Sequence, residues 1–381
     1  MTTAAGDSAI LSAQADFGPT PANPQGQAAA SAEPQQRVIK IRRDYNTWVA
    51  SETLEDYALR FAPRSARRWS IGRVANTALG GAASFLVLEA VGATLLVRYG
   101  FTNAALAILA TGLVIFLAGL PISLCAARHG VDMDLLTRGA GFGYIGSTIT
   151  SLIYASFTFL FFALEAAVMA YALELAFDIP PAWGYLVCAA VVLPLVTHGV
   201  TVISRLQVWT QPLWALMLVT PYVFVFRENP GVLDGLVGYG GERGLTAFDP
   251  LAFGAAMTVG IALITQMGEQ ADYLRFMPEQ TRENRWRWWA GVVAGGPGWV
   301  VPGVLKMLGG ALLAYLAIRH MVPVERAVDP NQMYLAAYEY VFPHYGWAVA
   351  ATALFVVVSQ LKINVTNAYA GSLAWSNFFS R

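Results

Sequence analysis

The chain has 381 residues, 56% of them hydrophobic and 13% charged, with zero formal net charge and a mean hydropathy of +0.50. Soluble proteins carry about 25% charged residues, and several apolar runs here exceed the roughly 20 residues that cross a bilayer core. The composition therefore excludes an ordinary soluble enzyme and predicts an all-α polytopic protein partnered by the lipid bilayer. Zero net charge gives no basis for nucleic acid binding, and the two cysteines and four histidines lack the spacing of a metal or disulfide framework.

Residues 1–36, rich in Ala, Gln, Pro, Ser and Gly, have neither the basic start nor the apolar stretch of a signal peptide and read as a disordered tail. Residues 37–70 are basic and partly amphipathic, which suits a membrane surface. Eight apolar segments follow, at 72–97, 104–126, 142–176, 184–201, 205–226, 251–271, 288–318 and 345–377. With the N-terminus inside, the inner loops hold Arg128, Arg138, Arg205, Arg275, Arg282, Arg285 and Arg287 beside the basic segment. The outer side holds Arg98, Arg227, Arg243, Arg319 and Arg326. The excess places the N-terminus in the cytoplasm, in a cell inner membrane. Lys306 and Lys362 both fall inside segments, where an unpaired charge costs at least about 2.5–3.5 kcal/mol. For Lys306 the sequence offers no partner.

Intramembrane polar residues concentrate in the first, third, sixth and eighth segments. The first has Asn76, Gly80, Gly81, Ser84 and Glu89; the third has Glu165 among aromatic and aliphatic residues. In the sixth, Gln266, Glu269 and Gln270 share one helical face by their spacing. The eighth carries "SQLKINVTNAYAGS", in which Gln360, Asn364, Asn367 and Gly371 recur as one stripe. Gly80 and Gly81 serve close helix packing as readily as a binding site, the amide stripe suits helix–helix hydrogen bonding as well as a ligand, and Glu269 fits either water at the cytoplasmic end or a buried place. Glu165 needs a partner, a proton or a polar cavity. This distribution suits two inverted repeats of five helices with a mid-membrane site among helices 1, 3, 6 and 8. The first repeat would run over 71–227 and a partial second one over 248–381.

From Asp56 onward the sequence resembles the nucleobase–cation symporters, the purine/cytosine permease group with the LeuT-type fold. The marks are "EDYALRFAPRSARRWS", "LTRGAGFGYIGS", "ADYLRFMP" and "INVTNAYAGS". The resemblance implies a nucleobase-like heterocycle carried by alternating access, with Phe161 stacking on the ring, Glu165 accepting its N–H groups and Asn364 contacting it from helix 8. Gln266, Glu269, Gln270 and Asn367 complete the expected lining. Asp272, Tyr273 and Arg275 are expected to be structural or gating, as are Gly80 and Gly81. The family's sodium site uses helix-1 carbonyls and small hydroxyl residues of helix 8, but Lys362 and Ile363 stand at those helix-8 places. Lys362 is then a cation surrogate, a proton-coupling group, or a lysine that snorkels or pairs with Glu89 or Glu269; sodium coupling is placed in doubt and proton coupling stays open. The family has about twelve spans where this sequence offers eight, so the chain reads as a fragment, a truncated product or the first part of a longer protein. "GGAASFLVLEAVGATLLV" and "GIALITQMGEQADYLRFMP" also look like permease-like modules of bacterial hybrid sensor histidine kinases, which would add a C-terminal kinase module as partner; these residues carry no kinase motif. A membrane enzyme is disfavoured, since no nucleophile, metal or cofactor signature is present.

Overall fold

The structure is a computed structural model that describes residues 61–379. The expected tail over 1–36 and most of the basic segment over 37–70 lie outside the described residues. Residues 61–70 form a short turn against the far end of the second pass: Ala62 N–H donates to Gly130 O at 2.8 Å, and Arg67 reaches Ala62 O and Arg128 O.

Ser70 caps the first helix, its hydroxyl accepting from Arg73 N–H, as a serine at this position satisfies one of the free N-terminal amides. That helix, α1 (Ile71–Ala83), stops at Ser84–Leu86, and the chain resumes helically as α2 (87–99). Gly100, at φ 74° and ψ 166°, separates α2 from α3 (101–129). The first segment, whose glycines Gly80 and Gly81 suggest an interruption, is two half-helices. Serine supplies the stop: Ser84 Oγ turns back to Gly81 O at 2.7 Å, beside the Ser84 N–H that donates to the same carbonyl at 3.0 Å.

A short helix α4 (Met133–Thr137), capped by Asp132, leads through a wide turn at 138–142 into α5 (Gly143–Phe177). Next come α6 (Pro181–Thr197) and α7 (Val200–Glu228). The expected boundary at 201–205 moves to His198–Gly199, because Gly199 takes φ 83°, where α7 begins. After the short α8 (Val232–Val237), the sixth pass is α9 (Pro250–Ile261), a tightened turn at Ala262–Thr265, and α10 (Gln266–Leu274). The seventh is also interrupted, as α11 (Arg285–Gly295) and α12 (Val300–Arg319) on either side of Gly296. Two short helices, α13 (Val324–Ala327) and α14 (Pro330–Tyr338), fill the next connection before α15 (Tyr345–Phe379) closes the described chain.

Among the described residues six stretches are long and apolar enough to cross a membrane, and Pro181–Thr197 is a shorter apolar helix. One of the six, Val87–His129, is two passes joined at Gly100. With α1 completing the first pass, eight passes are traced among the described residues. Lipid-facing stripes are legible in exposure: on α5, Ile145, Ile149, Ile153, Leu160 and Leu164 are exposed at helical spacing. In water such a stripe would be an aggregation surface, whereas in a bilayer it contacts acyl chains and costs nothing. The opposite face of α5 lies along α15, and α12 packs on the 87–129 stretch.

Candidate functional site

The broken first pass sets the chemistry. Where α1 ends and α2 begins, backbone groups lose their helical partners, and side chains from other passes supply them. Lys306 of α12 extends its ammonium to Ala83 O (2.9 Å) and Phe85 O (3.0 Å), and pairs with Glu89 Oε2 of α2 at 3.3 Å. On the other side of the break, Val87 N–H, the first amide of α2, donates to Glu165 Oε1 of α5 at 3.2 Å. A carboxylate at a helix N-terminus is favoured by the helix dipole. The charged side chain for which the sequence showed no partner thus has three, and Glu89, one of two carboxylates open to Lys362 in the sequence, pairs with Lys306.

Glu89 is also held from the α14 side. Tyr334 donates its hydroxyl to Glu89 Oε1 at 2.9 Å. Burial, then the Glu89 charge, holds the Tyr334 phenol well above its ordinary range, so it stays a donor. Asn331 donates to Val168 O of α5 (3.1 Å) and Tyr338 to Met217 O of α7 (2.8 Å). With these three contacts α14 rests over α2, α5 and α7 as a cover. Sequence reading left 319–344 as connection, and no period in it announces that Tyr334 reaches a membrane-buried carboxylate.

Below the break, several fully buried polar atoms on α5, α10 and α15 make no hydrogen bond: Glu165 Oε2, Gln266 Oε1, both Glu269 oxygens, both polar atoms of Gln360 and of Asn367, and Asn364 Oδ1. Gln360 approaches Glu165, and Gln266 and Thr366 approach Glu269, but these approaches fall short of hydrogen-bond geometry. Buried polar groups are almost always paired, so such a concentration on three neighbouring helices marks polar surface facing inward. Phe161 is half-buried beside them, with its ring edge-on to Phe85 of the break (centroids 5.0 Å, 66°) and tilted against Phe157 (4.4 Å).

The remaining expected residues divide. Gly81 permits the meeting of three passes: a Cβ there would stand 2.7 Å from Thr366 Cγ2 and 3.2 Å from Glu269 Oε1. Gly80 faces Gln207 of α7 instead. Asn364 turns its amide to Cys188 Sγ of α6 at 3.5 Å. Gln270, with its amide nitrogen placed to satisfy both partners, donates to Ala78 O (3.2 Å) and Gly295 O (2.6 Å), binding α10 to α1 and α11. Lys362 bonds Gln207 O (3.2 Å) and Thr210 Oγ1 (3.1 Å), both on α7, while Gln207 returns a bond to Lys362 O at 2.7 Å. Its ammonium is therefore tied to the fifth pass, not to Glu89 or Glu269.

At the α4 side, Arg275 binds Asp132 Oδ2 (3.1 Å), Tyr369 Oη (2.8 Å) and Asp272 O (3.0 Å), all buried. Asp272 accepts from Met133 N–H and from Tyr154 Oη, each at 3.1 Å. Close by, Asp134 accepts from Ser151, Ser151 from Asn377, and Asn377 from Arg138. This network fastens the α4 loop to the third, sixth and eighth passes. Tyr273 takes part by stacking on Tyr369 at 5.8 Å. Asp132 and Tyr369 were not anticipated; an aspartate just before a short helix signals a cap, and nothing in sequence tells that its second oxygen meets Arg275.

No family model matches the sequence, and no curated protein sequence matches it. The fold is similar to the solved structure of Mhp1, a nucleobase-cation-symport-1 family transporter, in a closed conformation with bromovinylhydantoin bound. The TM-score is 0.60 at 17% identity, over 81% of this chain and 67% of that one. At that identity the likeness concerns the fold: an all-helical membrane bundle of the LeuT type.

Proposed function

We propose that this chain is a permease-like module of a bacterial inner membrane, with its N-terminus and α4 on the cytoplasmic side, that binds a nucleobase-like heterocycle and carries it by alternating access. The observation that carries this reading is the set of unpaired buried polar atoms on α5, α10 and α15 beside Phe161. A planar ring with alternating N–H and C=O groups complements such a surface. Glu165 Oε2 accepts a ring N–H, the amides of Gln360 and Asn367 both donate and accept, and Asn364 Oδ1 accepts. Phe161 supplies an aromatic face, which binds any such ring, while the carboxylate gives direction. The hydantoin in the Mhp1 structure is a ring of this kind and supports the assignment.

Alternating access needs closures on both sides of the site. The Arg275–Asp132–Tyr369 network is the cytoplasmic one, and α14, fastened through Tyr334 to Glu89, is the outer one. Rocking of the broken first and sixth passes against the third and eighth would open one while the other holds. Uptake of radiolabelled nucleobase into vesicles containing the protein tests the transport half: saturable accumulation is expected. Binding without flux would refute transport and leave a receptor, as a membrane sensor of the same ligand would be.

A further inference from the structure

A broken membrane helix exposes carbonyl oxygens at mid-depth, and carriers built this way use them to coordinate a metal cation. In this chain two of the carbonyls at the first-pass break, Ala83 O and Phe85 O, accept hydrogen bonds from Lys306. Glu89 Oε2 stands 3.3 Å from the same ammonium as its ion-pair partner, outside hydrogen-bond geometry. All three partners are acceptors. An ammonium has three N–H donors to turn toward these three oxygens, and the Glu89 carboxylate balances its charge. The arrangement suits the charged form, a positive charge among oxygen ligands. The Trp214 ring, 5.6 Å from the ammonium, adds its electron-rich face.

The approach that makes this possible is built into the backbone. A Cβ at Gly310, one turn along α12 from Lys306, would stand 2.2 Å from Glu89 O, so α12 and α2 cross in contact and the lysine stem is delivered directly into the break. Lys362, the other intramembrane lysine, holds α7 instead, and Ile363 beside it offers no side-chain ligand. The residues present do not fit a sodium ion at Ala83 O and Phe85 O.

We propose that the Lys306 ammonium is the resident cation of the helix break, so that the folded, closed arrangement of this protein requires no sodium. The proposal stands apart from the ligand assignment, and its test needs no ligand. Thermal unfolding of the purified full chain in detergent is compared in sodium chloride and in choline chloride at matched concentration. Wild-type protein is expected to show the same midpoint in both salts. Lys306→Ala takes the ammonium from the two carbonyls and from Glu89 Oε2, and its midpoint is expected to be about 3 °C or more higher in sodium than in choline, as for any ion bound only by the folded state. A wild-type midpoint raised by sodium to that extent overturns the proposal, as does a folded Lys306→Ala that is indifferent to the salt. Should Lys306→Ala fail to fold, the wild-type comparison still decides. Lys306→Arg, which keeps a cation in place, is then expected to fold and to ignore sodium; a sodium response in it overturns the proposal too.

Discussion

Replacing Arg275 by methionine keeps the stem and removes the charge. The guanidinium is fully buried, 3.1 Å from the Asp132 carboxylate and 2.8 Å from the Tyr369 hydroxyl. Removing one partner of a buried ion pair costs about 3–5 kcal/mol, mostly because the remaining charge stays out of water. If the α4 side can open, Asp132 regains water there, and the cost falls on the closed arrangement alone. At 1.36 kcal/mol per decade, the closed-to-open ratio then drops by about two to four decades. Hydrogen exchange read by mass spectrometry supplies the assay. The Met133 amide, which donates to Asp272, and those of α10 report on this side, and α12 serves as the internal reference. We expect protection to fall by at least about a hundredfold in peptides covering 130–137 and 266–275, with α12 unchanged. Unchanged exchange there, or an equal loss throughout the protein, would refute a gate at Arg275.

Gly81→Ala should lower the unfolding midpoint by the equivalent of about 1–3 kcal/mol, the usual cost of an overpacked contact. Since the added Cβ meets Thr366 Cγ2 at 2.7 Å, Thr366→Ala should restore much of the loss in the double variant; simple additivity would contradict the contact. Tyr334→Phe removes the hydroxyl that donates to Glu89. A hydrogen bond to a charged group contributes about 1.5–3 kcal/mol, so exchange across 330–338 should quicken roughly tenfold or more while α15 holds, as peptide-level exchange would show.

The sequence made the bundle legible because apolar run length answers directly to the bilayer. It also singled out the passes that carry polar chemistry: Glu165 among aromatics is costly without a reason, and the structure sets it at the first amide of α2. What escaped was pairing between distant passes. Glu89 and Lys306 lie 217 positions apart and meet because Gly310 lets α12 touch α2. No local pattern announces that, and a carboxylate and a lysine on separate helices admit several matings. Lys362 was the more conspicuous charge in the sequence, yet its ammonium goes to the backbone oxygen of Gln207 and the hydroxyl of Thr210. The break at Ser84–Leu86 was hinted at by neighbouring glycines, but its position depends on Ser84 closing back on Gly81 O. Gln270 shared the stripe of Gln266 and Glu269 by spacing, and only the arrival of α11 decides that it serves backbone carbonyls.

The central claim is that Glu165 and its neighbours hold a planar heterocycle, and titration calorimetry on the purified protein tests it most directly. A panel of nucleobases and hydantoins is titrated into wild type, Glu165→Gln and Asn367→Ala. We expect at least one ring to bind wild type and to weaken at least about tenfold, or about 1.4 kcal/mol, in Glu165→Gln. No binding by any of these rings to folded wild type, or an affinity that Glu165→Gln leaves unchanged, would contradict it.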